Sequence, residues 1–293
     1  MLDVRRLQLL SDLHRLGTIA AVAQAHTYTP SAVSQQLSTL EREAGVPLLE
    51  RTGRRVTFTT AGQVLVRHAE TVLTALERTT AALAAFATGL TGPLRIGAFP
   101  TAVRTLLPPA LVELGRRHPG LELMVTELDP VDVPAALRDR RLDTGLLQDY
   151  DTHPVNPDPA LESVPLLEEG VYLATAGATG TPADFRDAAW IMGSPGTLCH
   201  AVAAQVCHDA GFAPRTRHHA DDYTTVLALV AAGQGVSLVP RLAAPEPPPG
   251  VRLIPLPIRR RTRIAYRRGT ADHPAIAACV AAVRESADTY ADR

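Results

Sequence analysis

Two folded units of different class are predicted from this 293-residue sequence: a helical unit closed by a two-strand hairpin and one long helix, then a two-lobed α/β unit. Three observations predict them. Apolar residues recur at helical spacing through the first sixty positions, a seven-residue apolar repeat follows, and beyond Pro93 short apolar runs alternate with amphipathic stretches. With 46% hydrophobic and 20% charged residues the chain can build ordinary cores, and its length makes two or three units the expectation. No apolar run approaches the ~18 residues of a membrane span. Asp3, Arg5, Arg6 and Gln8 interrupt the start, so no signal peptide is expected. The three cysteines, Cys199, Cys207 and Cys279, fit neither a disulfide framework nor a zinc pattern, which suits a reducing cytoplasm. The 29 basic residues are all arginine and the net charge is −1, so charge by itself does not announce nucleic acid.

Val4, Leu7, Leu10, Leu13 and Leu16 mark a first amphipathic helix, which Gly17 ends. Thr18 caps a short second helix over 19–25, and a turn at 26–28 follows. Thr29 and Pro30 start a third helix, a capping hydroxyl followed by proline where its missing N–H is no loss. Val33, Leu37, Leu40 and Ala44 bury one face; Ser31, Ser34, Gln35, Ser38 and Arg42 occupy the other, and Gly45 stops the helix. Such an exposed face is small and hydrogen-bonding, as a major-groove reader requires, although a three-helix bundle with a polar outside has the same pattern. The next segment separates the two. Residues 47–51 and 55–58 read as strands around Thr52-Gly53-Arg54, a wing that brings Arg54 or Arg55 to phosphate or a minor groove.

The run from Thr29 through Arg51, then Gly53-Arg54-Arg55 and Thr59-Thr60-Ala61-Gly62, resembles the DNA-binding signature of LysR-type transcriptional regulators over about residues 2–65. That resemblance implies a winged helix-turn-helix whose DNA contacts fall on Thr29, Pro30, Ser31, Ser34, Gln35, Ser38, Arg51, Arg54 and Arg55. Two positions depart from it: Pro30 stands where the family often has a polar base-contacting residue, and Gln35 where it often has arginine.

Thr59 caps a long helix from 60 to about 88. Leu65, Ala69, Val72, Leu76, Thr79, Leu83, Phe86 and Leu90 repeat along it at spacings of four and three. A seam this narrow and this long wants a partner helix, so Leu65, Val72, Leu76, Leu83 and Phe86 are expected to hold a dimer.

From Pro93, residues 94–99, 121–127 and 142–148 read as strands separated by helices at 105–117 and 131–140, a parallel α/β unit. Pro154, Pro157 and Pro159 mark a crossover. A second unit follows with strands at 170–174, 190–193, 236–239, 251–256 and 263–267, helices at 197–210 and 222–232, and a returning helix at 274–287. Two lobes with paired crossovers resemble the periplasmic-binding-protein type 2 fold, the sensor half of LysR-type regulators; 233–240 and Leu142-Asp143 carry the closest match. The expected domains are 1–59, a linker helix over 60–89, and an effector-binding domain over 93–293, with lobe I at 93–160 and 269–293 and lobe II at 161–268.

Ligands in such sheets sit beyond the carboxyl ends of strands. Pro100, Thr101, Glu127, Asp149, Ser194 and Thr197 reach that crevice. Ser194 and Thr197 open a helix whose free N–H groups suit a carboxylate, and the same hydroxyls suit plain capping. Asp129 stands where the family often has Ser or Thr, and with Glu127 and Asp149 it predicts an acidic side that favours an amine-bearing or neutral effector. Cys199-His200, Cys207-His208 and His218-His219 suggest a metal. However, Cys199 and Cys207 lie eight residues and more than two turns (~12 Å) apart, so one ion cannot join them, and no metal or cofactor is expected. No catalytic motif occurs: Gly193-Ser-Pro-Gly is not a nucleophile elbow, and no phosphate loop or His-Glu-x-x-His is present. The reading is a cytoplasmic, non-enzymatic regulator of transcription. Its partners would be double-stranded DNA, a small effector, further copies of itself as dimer or tetramer, and RNA polymerase when it activates. An architectural DNA binder without a sensor and a small-molecule-binding protein remain the alternatives.

Overall fold

The computed structural model describes residues 1–52, 55–86, 89–154 and 156–291. It divides into two compact units, Met1–Phe86 with Arg268–His273, and Ala87–Arg267 with Pro274–Arg293.

In the first unit, α1 (Val4–Leu16), α2 (Ile19–Ala25) and α3 (Pro30–Ala44) form as their punctuation dictates. The side chains of Asp3, Thr18 and Thr29 accept the free N–H groups at the three starts. Gly17 and Gly45 close α1 and α3 at positive φ of 74° and 72°, a conformation that costs glycine nothing. The strands β1 (Leu49–Thr52) and β2 (Arg55–Phe58) pair antiparallel, with Leu49 opposite Phe58. The long helix α4 (Thr60–Ala84) starts on a cap from Thr59. Leu7, Leu10, Leu13, Val22, Val33, Leu37, Leu40, Leu48 and Val66 make one core. Gly62 is required there, because a Cβ would sit 2.1 Å from the Leu48 carbonyl oxygen.

The long helix ends four residues short of the expected 88: Phe86 lies past Ala84, and Thr88 is outside the described residues. Leu65 packs against the core of its own unit and Leu90 against that of the second, so neither belongs to a free seam.

The second unit contains β3 (Gly92–Ala98), α5 (Pro100–Thr105), α6 (Leu107–Arg117), β4 (Leu121–Glu127), α7 (Val133–Arg138), β5 (Thr144–Tyr150) and β6 (Leu161–Thr175). It continues with β7 (Ala189–Met192), α8 (Leu198–Asp209), β8 (Arg215–His219), α9 (Tyr223–Ala231), β9 (Ser237–Pro240), β10 (Arg252–Arg267) and α10 (Pro274–Ala291). The main sheet runs in the order β4-β3-β5-β10-β6-β9, and β7 and β8 pair separately.

The strand reading is corrected in places. The sheet is mixed: β3, β4 and β5 are parallel as foreseen, but β10 is antiparallel to both β5 and β6. The strands expected at 251–256 and 263–267 are two ends of the single strand β10, and 170–174 is the last third of β6. Pro255 and Pro257 look like a break in the sequence, yet the β10–β6 ladder absorbs them in a register shift between Pro255 and Arg259. β8, Arg-Thr-Arg-His-His, carries no apolar alternation and was not anticipated. The helix expected at 105–117 is α6, and the short helix α5 precedes it, the two meeting at Leu106.

Each lobe has its own core. Leu94, Ile96, Leu107, Leu146, Leu167, Ile264 and Val283 belong to one; Tyr150, Val171, Trp190, Met192, Val206 and Ile258 belong to the other. The long strands therefore change core between Leu167 and Val171 on β6, and between Ile258 and Ile264 on β10. Glu169 and Arg260 stand at that crossing, opposite one another in the ladder.

Candidate functional site

The helix α3 presents Thr29, Pro30, Ser31, Gln35 and Ser38 to solvent, with Ser34 half-buried, while Val33, Leu37 and Leu40 face the core. The Thr29 hydroxyl accepts the Ala32 N–H at 3.2 Å and lies 3.0 Å from the Ser31 hydroxyl. At the other end of the helix, one Glu41 carboxylate oxygen accepts the N–H groups of Leu48 and Leu49 at 2.9 and 3.0 Å, tying α3 to the hairpin. Arg6 donates to Gln36 at 2.8 Å and pairs with Glu43, fixing α3 to α1. Arg51 and Arg55 lie on the hairpin strands, and Arg54 is outside the described residues. On α4, Val72, Leu76 and Leu83 are exposed, as is Phe86 just beyond it. An apolar row open to water calls for a covering surface.

In the second unit the expected crevice residues fall in four settings. Pro100 opens α5, and Thr101 beside it is buried. Glu127 ends β4 in solvent. Asp149 does not line an acidic wall: it is buried on β5 and ion-paired with Arg261 at 2.7 Å and Arg263 at 3.5 Å. Ser194 is also corrected as a carboxylate site. Its N–H and hydroxyl both donate to Asp221, at 2.7 and 2.6 Å, so the groups meant for an anion already hold one. The Thr197 hydroxyl caps α8, accepting from His200 N at 3.2 Å and donating to the Ser194 carbonyl at 2.8 Å. Burial, together with Asp132 and Asp221, pushes the Asp129 carboxyl up. The acidic character therefore rests on Asp129 and Asp221 rather than on Asp149.

Between the lobes lies a polar group that sequence reasoning missed. Arg260, fully buried, donates to Glu169 from Nε at 2.9 Å and Nη2 at 2.7 Å, and to Gln148 from Nη1 at 3.0 Å. Its guanidinium lies 5.2 Å from the centre of the Phe99 ring. Burial works against this charge, and Glu169 outweighs it and holds the arginine protonated. The second Glu169 oxygen accepts the Leu242 N–H. Beside this pair, Tyr223 donates its hydroxyl to Cys199 Sγ at 3.3 Å, and Gln148 Nε2 donates to the same sulfur at 3.9 Å. Cys199 is the second residue of α8. A cavity of about 20 Å³ opens there, lined by Tyr150, Cys199, Tyr223, Asp221 and Ser237 among others. Cys207 is buried in the core of the same lobe, where burial pushes its thiol up to about 12. Among the described residues, no group of three or more His, Cys, Asp and Glu is placed to hold a metal.

Sequence could not show this group, because Gln148, Arg260, Glu169, Cys199 and Tyr223 come from five elements. The sequence places Gln148 at a strand end by the crevice and offers Cys199 only for metal spacing, with nothing to join them.

Comparison with known proteins covers both units. Residues 4–63 match the family described as bacterial regulatory helix-turn-helix protein, lysR family, and residues 87–288 match the LysR substrate binding domain. The DNA-binding transcriptional dual regulator OxyR of Escherichia coli K12 is 30% identical over 304 residues, covering 100% of this chain and 98% of that protein. A probable hydrogen peroxide-inducible genes activator of Mycobacterium avium is 33% identical over 234 residues, covering 77% and 74%. The structure of a Corynebacterium glutamicum OxyR C206 mutant superposes with a TM-score of 0.58 at 25% identity, covering 100% of this chain and 94% of the other.

Proposed function

This chain belongs to the LysR family of DNA-binding transcriptional regulators with an effector-binding domain, and from that premise we propose that its signal is read at Cys199 and is an oxidant of water-like size, hydrogen peroxide. One observation carries this reading: a small cavity of about 20 Å³, enough to admit a water-sized molecule, opens at Cys199. The chemistry is compatible. A thiolate at Cys199 attacks one peroxide oxygen, the O–O bond breaks, and the hydroxide that leaves takes a proton to become water. The sulfur, oxidised by two electrons, is left as sulfenic acid. The Tyr223 hydroxyl and the Gln148 amide both donate to that sulfur, which lies in the first turn of α8. The names of the E. coli and M. avium relatives' class, hydrogen peroxide-inducible activators, support the same choice.

Cys207 is not a ready second thiol. It lies eight residues on along α8, about 12 Å away, and is buried. A disulfide would need the helix to unwind, so sulfenic acid is the product to look for.

On the DNA side, Thr29, Pro30, Ser31, Ser34, Gln35 and Ser38 enter a major groove while Arg51, Arg54 and Arg55 hold the backbone or minor groove. Val72, Leu76, Leu83 and Phe86 join two copies, which pair further into tetramers and engage RNA polymerase when activating. The site of action is the cytoplasm, and no catalytic role is assigned. A second reading, an amine-bearing effector, is favoured by the Asp129 and Asp221 carboxylates.

Trapping with a sulfenate-selective dione, followed by peptide mass spectrometry on the full chain, tests the first reading. With stoichiometric peroxide, Cys199 takes the label while Cys207 and Cys279 do not. A Cys199 that stays a free thiol under excess peroxide overturns it; stabilisation by amines but not by peroxide in a melting screen then selects the second.

A further inference from the structure

The strongest unassigned cluster lies in the DNA-binding unit. Asp12 on α1 is 4% exposed and accepts three side-chain donors: Gln8 Nε2 at 3.0 Å, Arg15 Nη2 at 2.8 Å and His26 Nε2 at 2.8 Å. Burial pushes this carboxyl up, but the bonds from Gln8, Arg15 and His26 outweigh it and hold it below the usual carboxylate range. An ionised carboxylate can only accept, so His26 Nε2 carries the proton between them.

Two of these donors are on α1 itself and hold the carboxylate in place. His26 is different. It ends α2 and begins the turn to the reading helix. After it, Thr27 takes the left-handed conformation at φ 57°, costly for a β-branched residue, and the Tyr28 N–H returns to the Ala23 carbonyl at 2.8 Å. The Tyr28 ring stacks on the His26 ring at 6.2 Å and 18°. Thr29, the cap of α3, follows directly, and Pro30 leaves α3 little freedom at its first residue. The contacts therefore run in series from the Asp12 carboxylate to His26, to Tyr28, and into the start of the helix that meets DNA.

We propose that Asp12 and His26 are positioning residues for DNA reading: their hydrogen bond sets the angle at which the N-terminal end of α3 enters the groove, and so sets sequence discrimination. Neither residue needs to touch DNA. The strain at Thr27 is consistent with this role, since a turn whose geometry is imposed by a buried carboxylate can hold a conformation that its own residues disfavour.

The inference rests on α3 as the reading helix, and the experiment separates the two. Full-length chain first enriches a preferred duplex from a random library; that enrichment establishes the reader itself. Affinities for the enriched duplex and for a shuffled duplex of the same composition are then compared across variants, with melting temperatures recorded. His26→Ala and Asp12→Asn should lower the ratio of the two affinities roughly tenfold, the size of one misplaced base contact, while shuffled-duplex binding is kept. His26→Gln, which retains a donor to Asp12, should restore most of the ratio. A purely structural role predicts instead equal losses on both duplexes, tracking the fall in melting temperature, with Gln no better than Ala. That pattern, or an unchanged ratio in Asp12→Asn and His26→Ala, overturns the proposal. If His26→Ala does not fold, Asp12→Asn and His26→Gln decide it alone.

Discussion

Charge pairing decides most of what individual residues do here. Arg260 and Glu169 are both buried, and each is tolerable only because of the other. Replacing Glu169 with Gln leaves an arginine in the interior with no counter-charge, and unfolding stability in urea should fall by about 3–5 kcal/mol. Replacing both with apolar residues of similar volume should cost far less. The thiols give a second residue-scale prediction. Burial raises Cys207 to about 12 and Cys279 to about 11. At pH 8 each therefore holds at most roughly one thiolate in a thousand, and alkylation in the native chain should be slow until denaturant is added. The sign follows for stability as well. An acid whose folded pKa is raised loses its proton first in the unfolded chain, so stability should decline as pH rises from about 9 towards 12. On the reading helix, Gln35→Ala should relax preference at one base position at a cost of ~1–3 kcal/mol. Arg55→Ala should weaken all sequences alike and flatten the salt dependence. Competitive binding over operator variants distinguishes these outcomes.

At the level of elements, the first unit was almost fully legible because each helix announces its own start and stop. Thr18, Thr29 and Thr59 cap as expected, and Gly17 and Gly45 terminate. In the second unit the short strands were legible, as at 94–99, 121–127, 190–193 and 236–239. β6 and β10 were not, because each passes from one core to another and its buried side is interrupted by Glu169 or Arg260 at the crossing. Among the short strands β8 was the exception, because it has no apolar face. The crevice was legible as a place but not as chemistry: strand ends locate it, whereas the pairing of Ser194 with Asp221 and of Asp149 with Arg261 depends on elements distant in sequence. The long helix offers its own test. Leu76 and Leu83 are 42% and 67% exposed, so Leu76→Asp with Leu83→Asp should leave the fold intact and release monomers on analytical ultracentrifugation. An unchanged sedimentation coefficient would place the contact between copies elsewhere.

The molecule as a whole carries a lysR-family helix-turn-helix and a LysR substrate binding domain in one chain, and the proposed signal, an oxidant taken at Cys199, has to pass from the second to the first. An effector can shift operator affinity only by its differential interaction with two states, typically ~1–3 kcal/mol or about 5- to 150-fold. The most direct test is operator affinity measured by fluorescence anisotropy before and after stoichiometric hydrogen peroxide, in the parent chain, Cys199→Ser and Cys207→Ser. The account predicts a shift in that range for the parent chain and for Cys207→Ser, and none for Cys199→Ser. A Cys199→Ser chain that still responds to peroxide, or a parent chain that does not respond at all, would contradict it.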